Sequence, residues 1–138
     1  MQLRKNAKIE LIKKVPLFRH CTRKELEEIA GIADELDLKE GAMLTREGKS
    51  GREFFVIVEG YADVIMRDSW VNSVGRGDFL GEISLVTGHP RTASVKASSP
   101  MRVLVITHRD FSRLLEHSPE IQGKILRSMA ERLATASL

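Results

Sequence analysis

Glycines at positions 41, 48, 60, 75, 77, 81 and 88 cut the chain between Leu36 and Thr107 into short segments. Several of these segments are rich in β-branched and aromatic residues: "FFVIVEG", "YADVIMRD", "WVNSV", "TASVKAS" and "MRVLVIT". Segments that short cannot bury a core as helices, whereas strands joined by frequent turns can, as in a small antiparallel barrel or jelly roll. Glu59-Gly60 predicts one tight turn and Ser99-Pro100 another.

Both flanks carry helical spacing. Leu3, Ala7 and Leu11 recur on one side, followed by Leu26, Ile29, Ala30 and Ala33. Val15-Pro16 separates the two runs, because a residue before proline avoids helical angles. Thr22 with Glu25 reads as a capping box. After Thr107, "HRDFSRLLEH" is a short helix and Ser118-Pro119 opens another, with Ile121, Ile125, Met129 and Leu133 as its expected apolar stripe. The predicted fold is therefore mainly β with flanking α, in a single domain over 1–138. N-terminal helices occupy 1–35, a barrel 36–107 and C-terminal helices 108–138.

A chain of 138 residues can build its own core. Its one cysteine, Cys21, excludes an internal disulfide and a cysteine-rich metal cluster, and a reducing cytoplasm is the expected location. No apolar run is long enough to span a bilayer. The net charge of +3 is mild, and no nucleic-acid recognition motif accompanies the basic residues near the start. "REGKS" at 46–50 ends like a phosphate-binding P-loop, but Met43 stands where the glycine is required, so a plain turn is expected. His20, His89, His108 and His117 are scattered along the chain and lack metal-ligand spacing. No serine or cysteine nucleophile stands beside a base, so no catalytic residue and no cofactor are expected.

One stretch, "GDFLGEISLVTGHPRTASV", does point to a ligand. Glu82 and Arg91 are isolated charges in apolar, glycine-punctuated chain. Amide groups of a tight turn after Gly81 favour an anion, and Arg91 supplies a forked donor suited to phosphate oxygens. Glu82 repels a phosphate and needs a neutral donor, such as a ribose hydroxyl. Phosphate beside a sugar hydroxyl describes a nucleotide.

The motif "GEISL…PRTASV" resembles the phosphate-binding cassette of cyclic nucleotide-binding domains, and the likeness includes "VPLF" near the start, the "VEG" turn and the closing helices. The resemblance implies a ligand, cAMP or cGMP, with cAMP favoured. It implies that Arg91 pairs with the exocyclic phosphate oxygens and that Glu82 binds the ribose 2′-hydroxyl. The backbone of Ile83, Ser84 and Leu85 would complete the phosphate cradle. Gly81 and Ala93 would be small enough for close approach. Val64 and Val74 would pack the purine, and Leu80 stands where many members carry phenylalanine. The Thr92 hydroxyl would meet either the phosphate or a guanine amino group. Arg132 would contact the base from the last helix, with Arg127 and Met129 as further candidates. The implied function is a non-catalytic sensor that couples occupancy to rearrangement of the C-terminal helices. No helix-turn-helix follows within these residues. Alternatives are the regulatory part of a cation channel or enzyme, or an interaction module without ligand. An attached effector domain and a second copy of the chain are the remaining partner expectations.

Overall fold

The computed structural model describes residues 3–81, 85, 87 and 89–136, with the side chains at 132, 135 and 136 excepted. The expected order of helices, strands and helices is observed, and the chain divides into two compact units. One unit takes both termini, up to Ile32 and from Asp110 onward; the other is Ala33–Arg109.

The β unit consists of β1 (Asp34–Leu38), β2 (Met43–Thr45), β3 (Glu53–Glu59), β4 (Ala62–Met66), β5 (Ser69–Val74), β6 (Phe79–Leu80), β7 (Ser94–Ala97) and β8 (Met101–Thr107). They form two four-stranded antiparallel sheets, ordered β1-β8-β3-β6 and β2-β7-β4-β5. Phe55, Ile57, Met101 and Val103 from the first sheet meet Ala62, Val95 and Ala97 from the second in one apolar core. Burying each of the larger side chains among them stabilises the unit by about 1.5–3 kcal/mol. The turn at Gly60 needs its glycine twice over. Its φ is +92°, and an added Cβ would run into the Pro100 carbonyl and stand 3.0 Å from the Met101 Cα. The β4–β5 hairpin turns through Arg67 and Asp68, both left-handed, which suits the natural twist of the strands.

The helical unit contains α1 (Lys5–Lys13), a 3-10 turn (Pro16–Phe18), α2 (Arg23–Gly31), α4 (Pro119–Ala136) and the greater part of α3 (His108–His117). Val15 is extended before Pro16, so α1 ends as the proline predicts. The capping box at α2 is complete: the Glu25 N–H donates to the Thr22 hydroxyl, and the Thr22 N–H donates to the Glu25 carboxylate. Lys124 also reaches that carboxylate, at 2.5 Å, and ties α4 to the cap. The α4 stripe departs from expectation at its end. Ile121 and Ile125 are buried, whereas Leu133 is 69% exposed and Ser128 is buried instead. A step of four residues turns about 400°, so the stripe drifts around the helix by about 40° at each step and leaves the core by its fourth member. Among the described residues no helix is long and apolar enough to cross a membrane.

Candidate functional site

Arg91 lies between the β2–β3 loop and β7, and its position is set by main chain. Its N–H donates to the Lys49 carbonyl at 2.8 Å, and its carbonyl accepts from Gly48 N–H at 2.9 Å. A bridge between Ser50 and Pro90 and a bond from Gly51 N–H to the His89 carbonyl extend the pairing. The "REGKS" segment is therefore a turn, as its sequence indicates, and it also splints the arginine.

The Arg91 side chain is nearly buried, at 9% exposure. Its Nη2 donates to the Glu53 carbonyl, and among the described residues its Nη1 has no partner. Desolvation draws the guanidinium below its ordinary pKa, with the nearby Glu53 charge opposing. A buried cation with an unmatched donor costs free energy, about 1–3 kcal/mol for the orphaned group. Such a cost persists where an anion from outside completes the arrangement.

Gly81 shows how the guanidinium is accommodated. It has φ +83°, and an added Cβ would collide with Arg91 Nη1 and stand 2.9 Å from the Glu53 carbonyl oxygen. Only glycine lets the arginine head lie against this backbone. Four residues on, Leu85 is fully buried; its N–H donates to the Gly81 carbonyl at 3.0 Å. Its own carbonyl accepts from Nδ1 of His108 at 2.5 Å.

Leu80, on β6 opposite Phe55, is half-buried, and so are Val64 on β4 and Val74 on β5; all three pack against the same core. The structure thus brings Gly81, Leu85 and Arg91 together through direct contacts and sets Leu80, Val64 and Val74 on one apolar cluster. Ala93 is half-buried and accepts from the Thr45 hydroxyl at 3.0 Å, while Thr92 is exposed. Glu82, Ile83 and Ser84 lie outside the described residues, as does the Arg132 side chain. Arg127 is on a solvated face beside Glu131, and Met129 is half-buried.

Three contributors went unread in the sequence: the Glu53 carbonyl, the loop at 48–51 and His108. The first two act through main chain, which leaves no side-chain signature. His108 is one histidine among four, and only its seat at the start of α3 distinguishes it. Among the described residues no group of three or more His, Cys, Asp or Glu side chains could hold a metal ion.

The family model for the cyclic nucleotide-binding domain matches residues 35–118. The chain is 36% identical over 123 residues to a cyclic nucleotide-gated potassium channel of Rhizobium etli, covering 89% of this chain and 34% of the channel. It is 37% identical over 113 residues to a cAMP-dependent protein kinase regulatory subunit of Mycosarcoma maydis, covering 73% of this chain and 21% of that protein. It therefore spans about a third or less of these relatives. The crystal structure of the N-terminal domain of a transcriptional regulator from Streptomyces coelicolor is similar, with a TM-score of 0.85 and 28% identity over 92% of this chain and 94% of that one. A mainly antiparallel β unit with flanking helices, a buried arginine set on a glycine and a family match over most of the chain agree: the protein belongs to the cyclic nucleotide-binding domain family.

Proposed function

We propose that the chain is a non-catalytic cyclic-nucleotide sensor that favours cAMP over cGMP and passes its occupancy to the C-terminal helices. The observation that carries this reading is the buried Arg91 guanidinium, seated on Gly81 with Nη1 unmatched among the described residues. A phosphate oxygen would supply an acceptor for Nη1 and a negative charge beside the guanidinium together. Glu82 would take the ribose 2′-hydroxyl, and the backbone of Ile83, Ser84 and Leu85 would finish the cradle. Val64 and Val74 offer the purine an apolar surface without a polar atom to select guanine, which favours adenine. The exposed Thr92 hydroxyl would meet either the phosphate or a guanine amino group, and Arg132 is the proposed base contact from α4. A cytoplasmic location suits a ligand of this kind.

A second reading makes the module the regulatory part of a larger assembly, with an attached effector. It is favoured by the likeness to a channel and a kinase regulatory subunit, each much longer than this chain. A ligand-free interaction module would have no use for a buried guanidinium whose Nη1 is unmatched among the described residues.

Titration calorimetry with cAMP and with cGMP tests the primary reading. Each hydrogen bond to a charged group is worth about 1.5–3 kcal/mol, so Arg91→Ala is expected to weaken binding about tenfold to hundredfold. Equal affinity in both proteins would remove Arg91 from the site.

A further inference from the structure

Arg91, Glu53, Thr107, His108, Leu85 and Gly81 form a closed circuit inside the β unit. Arg91 Nη2 donates to the Glu53 carbonyl, and Glu53 pairs with Thr107 across β3 and β8. The next residue, His108, fastens its N–H to the Arg52 carbonyl at 2.7 Å, so its backbone is fixed to the start of β3. Its ring then reaches the Leu85 carbonyl at 2.5 Å. Leu85 bonds back to Gly81, against which the Arg91 guanidinium lies. A carbonyl oxygen only accepts, so Nδ1 of His108 carries the proton in this contact. Cassette residue Leu85 is thereby held by the His108 side chain, while the Arg91 guanidinium lies against Gly81.

We propose that His108 is a positioning residue of the nucleotide site: its Nδ1–H fixes the carbonyl of Leu85, the cassette residue whose N–H bonds back to Gly81. The proposal rests on the nucleotide-binding reading above.

The test compares the full chain with His108→Phe, which keeps a ring and loses the donor, and His108→Asn, whose amide NH2 takes the place of Nδ1–H. Calorimetry with cAMP and cGMP should show about fivefold weaker binding for His108→Phe, the effect of losing one ordinary hydrogen bond, and recovery to within about twofold for His108→Asn. A long-range nitrogen–proton NMR spectrum of the wild type should show Nδ1 as the protonated ring nitrogen. Wild-type affinity in His108→Phe, or no recovery in His108→Asn, overturns the proposal while leaving nucleotide binding intact. A wild type that binds neither nucleotide overturns the functional reading and this proposal with it. Should His108→Phe fail to fold, the His108→Asn affinity and the ring protonation decide: weakened binding or an Nδ1 without a proton refutes the positioning role.

Discussion

Replacing Gly81 by alanine perturbs the site without touching a charge. The residue sits at φ +83°, where a side chain costs about 1–2 kcal/mol of backbone strain. The new Cβ would also occupy the place of Arg91 Nη1 and press on the Glu53 carbonyl oxygen from 2.9 Å. The guanidinium must therefore swing away and give up its bond to Glu53, worth about 1.5–3 kcal/mol because the donor is charged. The expected total is a loss of about 2.5–5 kcal/mol in the stability of the β unit. Binding of cAMP should fall at least about tenfold, because the phosphate partner is displaced. Urea unfolding and calorimetry measure the two effects. The decisive form is a double-mutant cycle with Arg91→Ala. Once the arginine head is gone, Gly81→Ala should cost little beyond its φ strain, so the two substitutions should couple by about 1 kcal/mol or more. Strictly additive costs, or wild-type affinity in Gly81→Ala alone, would refute the seating of Arg91 on Gly81.

Two further outcomes follow from the helical unit. Burial alone would raise the pKa of Glu25, but the bonds from Lys124 and Thr22 together outweigh it and hold the group below its ordinary 4.5. Its contribution to stability is thus present above pH 4.5 and disappears as the pH falls through the lower folded value. Glu25→Gln should therefore lower the urea midpoint at pH 7 and converge on the wild type in acid; a constant gap between pH 3 and 7 would contradict this. On α4, Ile125→Ala should cost about 2–5 kcal/mol, whereas Leu133→Ala should stay within about 0.5 kcal/mol. Comparable losses in thermal melting would show that the stripe does not leave the core where the structure has it leave.

The elements best legible in the sequence are those whose signal is local. The Thr22–Glu25 box, the break at Val15-Pro16, the start at Pro119 and the strand "FFVIVEG" each depend on residues a few positions apart, and each stands where expected. Strand β1 is harder: "DELDL" has poor strand composition and is held by its register with β8, far away in the chain. The two-residue β6 is too short for any periodicity and exists through its pairing with β3. Leu133 shows the opposite failure, a regular pattern in the sequence that the pitch of a helix carries off the buried face. At the site, Gly81 and Arg91 were readable from composition and spacing, but the reason they belong together was not. That reason is a guanidinium lying where a Cβ would be.

The loop at 46–51 has a consequence for how such a module diverges. It grips the Arg91 segment through amide hydrogens and carbonyl oxygens, which every residue except proline can provide. Apart from Glu47, whose carboxylate accepts from the Arg67 N–H, its side chains are consequently at liberty to drift so long as its length and its Gly48 bend, at φ +82°, are kept. Selection on the ligand can thus hold the arginine in place while the neighbouring surface changes to suit whatever a particular lineage docks there.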